Sequence, residues 1–100
     1  MTLVYITCKD KEEAKKISLH LLKKRLIACS NIFPITSMYW WKGKIENADE
    51  HAVLCKTIDK NFEKIKKEVS RMHSYDVPCI TMIKSESNEI YDEWVKGEVK

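Results

Sequence analysis

Residues 28–58 constrain the fold more than any other part of the sequence. Residues 28–41 (Ala-Cys-Ser-Asn-Ile-Phe-Pro-Ile-Thr-Ser-Met-Tyr-Trp-Trp) and 45–58 are two strand-like runs separated only by Lys42-Gly43-Lys44. Gly43 is free to take positive φ, so these three residues predict a tight hairpin turn. An arm of about 13 residues spans roughly 43 Å. A domain of 100 residues has a radius of gyration of about 13 Å, hence a diameter of roughly 34 Å. A continuous hairpin therefore overshoots its own domain. Its tip carries Tyr39, Trp40 and Trp41, and three large aromatics on an overhanging ribbon call for another surface. We expect them at an interface with further copies of the chain, whose strands would also cover the free sheet edge. Pro34 cannot donate a ladder hydrogen bond and marks an edge, a bulge or a break. A break there would fold the aromatics back onto the chain's own core.

The rest of the chain supplies shorter elements. Leu3 to Cys8 is a continuous run of β-branched, aromatic and aliphatic residues, as in a central strand. Asp10 followed by Glu13 is an acidic capping box. It opens a helix with Ala14, Ile17, Leu21 and Leu22 at helical spacing, predicted to end near Leu26. Asp59 is expected to cap a second helix whose buried stripe is Phe62, Ile65, Val69 and Met72. Residues 73–78 connect it to a fourth strand, Cys79 to Ile83. Asn88 is expected to cap a last helix bearing Ile90, Tyr91, Trp94 and Val95. The order β-α-β-β-α-β with a terminal helix predicts an α+β, ferredoxin-like plait, one domain over residues 1–100.

Composition excludes several classes. Only two glycines and two prolines occur, which argues against a Gly-rich phosphate loop. No apolar run approaches the roughly 20 residues of a membrane span. The amino terminus runs straight into a strand with no signal-peptide pattern, so a cytoplasmic protein without membrane partners is expected. Net charge is +3, and residues 85–100 hold five acids against two lysines, so the basic excess lies earlier. It falls on Lys15, Lys16, Lys23, Lys24 and Arg25 and on Lys60, Lys64, Lys66, Lys67 and Arg71. With acids interspersed, these read as solvated helix faces rather than a nucleic-acid surface. No nucleophile–base motif appears, so no enzymatic activity is expected.

The cysteines and histidines are the remaining chemistry. Cys8, Cys29, Cys55 and Cys79 form no C-x-x-C pair and read as reduced, mostly buried thiols. His20 sits among lysines and leucines with no acid near it in sequence. His51 lies in a polar strand segment with Glu46, Asp49 and Glu50. His73 ends the second helix, where the dipole favours a cation. With Cys79 it makes a pair of soft-to-borderline metal ligands, to be completed by Cys8, another chain or an exogenous ligand.

In order along the chain stand Thr7-Cys8-Lys9-Asp10, then Arg25-Leu26-Ile27-Ala28-Cys29 with Asn31-Ile32. Ser37 to Glu46 (Ser-Met-Tyr-Trp-Trp-Lys-Gly-Lys-Ile-Glu), Lys56-Thr57, His73 to Pro78 and Tyr91-Asp92-Glu93-Trp94-Val95 follow. Together these segments resemble the CutA divalent-cation tolerance family over nearly the whole length. The resemblance implies a cytosolic homotrimer in which the long hairpins extend neighbouring sheets, with Tyr39, Trp40 and Trp41 at the interface. It also implies a role in tolerance of copper and other divalent cations, with no obligatory cofactor. The family's proposed histidine ligand is retained as His73. Lys9 and Ser74 replace two usual prolines, and Cys79 replaces a usual glutamate. The family's occasional first-strand cysteine falls at Ile6, two positions before Cys8. The metal candidates are therefore His73, Cys79 and Cys8. Trimeric ferredoxin-like architecture also resembles the PII signal proteins. That alternative expects a small molecule or protein partner at subunit clefts, with Lys56 as a basic contact.

Overall fold

The computed structural model describes residues 1–100. The elements are β1 (Thr2–Cys8), α1 (Lys11–Lys23), β2 (Cys29–Trp41), β3 (Lys44–Thr57), a 3-10 turn (Asp59–Asn61), α2 (Phe62–Met72), β4 (Ile80–Lys84) and α3 (Glu89–Glu98). The strands form one antiparallel sheet in the order β2-β3-β1-β4. This is the α+β, ferredoxin-like plait expected from the element order. Residues alternate along β1, and Val4, Ile6 and Cys8 turn to the core. They meet Ala14, Ile17 and Leu21 of α1, Ile65 and Val69 of α2, and Val53 and Cys55 of β3.

The register explains the hairpin. β2 and β3 pair without a bulge from Cys29–Lys56 to Trp41–Lys44. Pro34 sits within that ladder, and β2 is an edge strand, where a missing amide donor is tolerated. Lys42 (φ 50°) and Gly43 (φ 78°) are both left-handed, as a two-residue type I′ turn requires. β1 pairs β3 only from Cys8–His51 to Thr2–Thr57. Residues 44–50 therefore pair with β2 alone and project as a two-stranded ribbon. The molecule measures 44 × 25 × 21 Å.

Helix ends differ from the sequence expectations for identifiable reasons. α1 stops at Lys23, not near Leu26, in a Schellman arrangement. Arg25 is left-handed (φ 59°), its N–H donates to the Leu22 carbonyl, and Leu26 N–H donates to the Leu21 carbonyl. Asp59 does not cap α2. Its carboxylate accepts the Thr2 hydroxyl and pairs with Lys84, because Thr2 and Lys84 are themselves strand partners. Asn61 holds the α2 cap position, yet its side chain donates to the Leu26 carbonyl (3.1 Å) instead. Asn88 stands at the start of α3 without capping it, and accepts from the Ser87 hydroxyl. Cys79 lies just before β4, which begins at Ile80.

Candidate metal centre at the end of the sheet

Asp10 and Glu13 build the first wall of the site. The Asp10 carboxylate accepts the Glu13 N–H at 2.8 Å, which starts α1. Glu13 then folds back and accepts the Lys9 N–H at 3.0 Å. That places its carboxylate beside the end of β1, where Cys8 points inward. Its second oxygen accepts the Ser74 N–H at 2.9 Å, fastening the segment after α2 to the start of α1.

His73 ends α2 and turns the chain into extended backbone. Its side chain is fully buried. Nε2 lies 2.8 Å from the Thr7 carbonyl, so Nε2 carries the proton. Nδ1 accepts the Tyr75 N–H at 3.1 Å and lies 3.9 Å from Glu13 Oε2. The donor atoms of Cys8, Glu13 and His73 all lie within 4.8 Å of one another. In the sequence Glu13 reads only as part of a helix cap. Its i+3 position from Asp10 was the signal that it would curl back over the end of β1.

Cys79 is on the other side of the sheet. The β1–β4 register ends at Ile6–Ile80, so its continuation sets Cys79 across from Thr7. Alternation sends Thr7 and Cys79 to the face opposite Cys8. Both line a cleft of about 750 Å³ together with Tyr39, Glu50, Tyr75 and Val77. In its wall the Tyr75 hydroxyl donates to the buried Glu50 carboxylate at 2.5 Å. Tyr39 and Trp41 line the cleft, and Trp40, on the overhanging ribbon, is 72% exposed.

Electrostatics set the protonation states. Burial pushes the Cys8 thiol up to about 12, and the Glu13, Glu50 and Asp10 carboxylates add to that. Burial pushes Cys55 to about 12 as well. Burial alone would raise Glu13, but the hydrogen bonds from Lys9 and Ser74, and His73 nearby, hold it below the ordinary value. Burial and donation to Glu50 raise Tyr75, so its phenol stays a donor.

The other candidates are placed as follows. His51 lies across from Cys8 in the sheet and outside the three-donor group. His20 does have an acid: Glu68 of α2, at 2.7 Å, which helix packing brings and local sequence cannot show. The Lys56 ammonium lies 3.8 Å from the Cys29 sulfur. All four cysteines are free; Cys8 and Cys55 are buried, Cys29 and Cys79 half-buried.

These donors fit a divalent cation: a buried thiol, a carboxylate and an imidazole share one small volume. The sequence and the fold have counterparts among known proteins. The model of the CutA1 divalent ion tolerance protein matches residues 2–98. The divalent-cation tolerance protein CutA of Archaeoglobus fulgidus is 45% identical over 98 residues, covering 97% of this chain and 96% of the relative. That of Pyrococcus horikoshii is 42% identical over 101 residues, covering 100% and 99%. A solved structure of the A. fulgidus protein, described as periplasmic, superimposes with a TM-score of 0.96 at 44% identity, over 100% of both chains. Matched along its whole length in sequence and fold, the chain belongs to the CutA1 divalent ion tolerance family.

Proposed function

We propose that the protein serves divalent-cation tolerance, copper included, as a homotrimer that binds metal. The observation that carries the metal role is the concentration of cation-binding groups at one end of the sheet. Cys8, Glu13 and His73 stand on the helix-covered face, with Cys79 and Glu50 on the other. The carboxylates give this end a negative field, which favours a cation. The trimer is supported by the ribbon of residues 35–50, whose Met38, Tyr39, Trp40, Trp41 and Ile45 are all exposed in the single chain. No helix is long and apolar enough to cross a membrane. Four free thiols suit a reducing cytoplasm.

Native mass spectrometry tests both parts. The expected species is three times the 11.8 kDa chain, gaining mass on incubation with zinc or copper. A dominant single chain at micromolar concentration removes the trimer. A trimer that retains neither metal after dialysis removes the metal role.

A further inference from the structure

Cys8 ends β1 with a thiol that is fully buried. It stands against two side chains from other elements, Glu13 of α1 and His73 after α2. Those side chains are only 9% and 0% exposed, unlike the solvated acids of an ordinary surface cluster. The hydrogen bond from His73 Nε2–H to the Thr7 carbonyl is the outer contact by which metal-binding histidines fix their tautomer. It leaves the lone pair on Nδ1, which accepts the Tyr75 N–H and lies 3.9 Å from Glu13 Oε2. We infer that Cys8, Glu13 and His73 Nδ1 form a three-donor site for one divalent cation of the zinc class, and that Cys79 takes no part in it. The inference rests on the metal-binding role proposed above and narrows it to these atoms.

The donor set decides the metal class. Magnesium and calcium take oxygen ligands, and copper(I) prefers sulfur, whereas zinc accepts thiolate, imidazole and carboxylate together. With zinc–ligand bonds of about 2.0–2.3 Å, tetrahedral donors stand roughly 3.4–3.8 Å apart. The present triangle, within 4.8 Å on every side, must close by about 1 Å. The fourth zinc position falls to water or an incoming ligand. As the metal enters, the Cys8 S–H bond breaks, its proton passes to buffer, and the sulfur–metal bond forms; no electron is transferred.

Loading has a local consequence. Nδ1 spends its lone pair on the Tyr75 N–H, and the metal needs the same pair. Binding therefore releases the Tyr75 amide. Tyr75 lines the cleft and grips Glu50, so metal occupancy on one face loosens the cleft wall on the other.

The test uses the full chain, stripped with chelator and titrated with cobalt(II), then zinc. The expected result is one cobalt per chain with a thiolate-to-cobalt charge-transfer band that zinc bleaches. Tyr75 amide exchange should accelerate on loading. Cys8→Ser should abolish the band and weaken zinc binding at least about 100-fold, the upper end of the cost of losing even an outer-shell partner. Cys79→Ser should leave both unchanged. If Cys8→Ser fails to fold, Glu13→Gln reports instead, keeping the band and weakening binding by about 10-fold or more. A band that persists in folded Cys8→Ser, or disappears in Cys79→Ser, overturns the site and leaves the metal role standing. Wild-type protein that binds neither cobalt nor zinc overturns both.

Discussion

Glu13 joins three parts of the fold through one carboxylate. It closes the start of α1 on Lys9, ties down Ser74, and borders Cys8 and His73. Its folded pKa lies below the ordinary 4.5, so it contributes stability that is fully present above that value. The contribution disappears as pH falls through the lower, folded value. Glu13→Gln should therefore cost about 1 kcal/mol at pH 7, where charge-assisted bonds become neutral ones. The gap between wild type and variant should narrow as pH falls through the lowered, folded value, read from urea midpoints in chelator. A gap independent of pH would mean that the carboxylate charge plays no part. Glu13 was legible as a helix cap because capping is local. Its neighbours His73 and Ser74 lie about 60 positions away, and only packing of α1 beside α2 brings them in.

At the scale of elements, the two glycines have opposite consequences. Gly43 is at φ 78° in the turn between β2 and β3, and a Cβ there would meet nothing within 4 Å. Gly43→Ala thus isolates the left-handed backbone penalty and should destabilise by about 1 kcal/mol. Gly97 lies within α3, where a Cβ would also meet nothing. Gly97→Ala should stabilise by about 0.5 kcal/mol through backbone entropy alone. Thermal melts of the two variants should move in opposite directions. The turn was readable from Lys42-Gly43-Lys44, since few dipeptides suit two left-handed residues. The end of α1 was not, because Arg25 takes the left-handed position that glycine usually marks. Arg25 is held there by Glu98 and by the Lys100 amide, from the far end of the chain.

At the scale of the molecule, the ribbon sets the long axis of 44 Å. A two-stranded hairpin is marginal by itself in water, and this one leaves Trp40 72% exposed. Trp40→Asp should leave the single-chain fold intact, because its side chain lies outside the core. In the trimer proposed above it should bury a charge and shift the sedimenting species toward single chains, while far-ultraviolet circular dichroism is retained. A Trp40→Asp protein that stays trimeric at low micromolar concentration would place the contact elsewhere.

Periodicity, capping chemistry and turn residues by themselves determined the element order, the length of the hairpin and the inward set of β1, because each depends on neighbours within a few positions. Ligand chemistry and the family resemblance selected His73, Cys79 and Cys8 as candidate metal ligands. Only the tertiary structure decided which of the candidate groups meet. Sheet register puts Cys79 across from Thr7, on the face away from Cys8. Helix packing puts Glu13 beside His73 and Glu68 beside His20. A strand's two faces differ by a single residue of register, and that register follows from the core as a whole rather than from any local stretch of the chain.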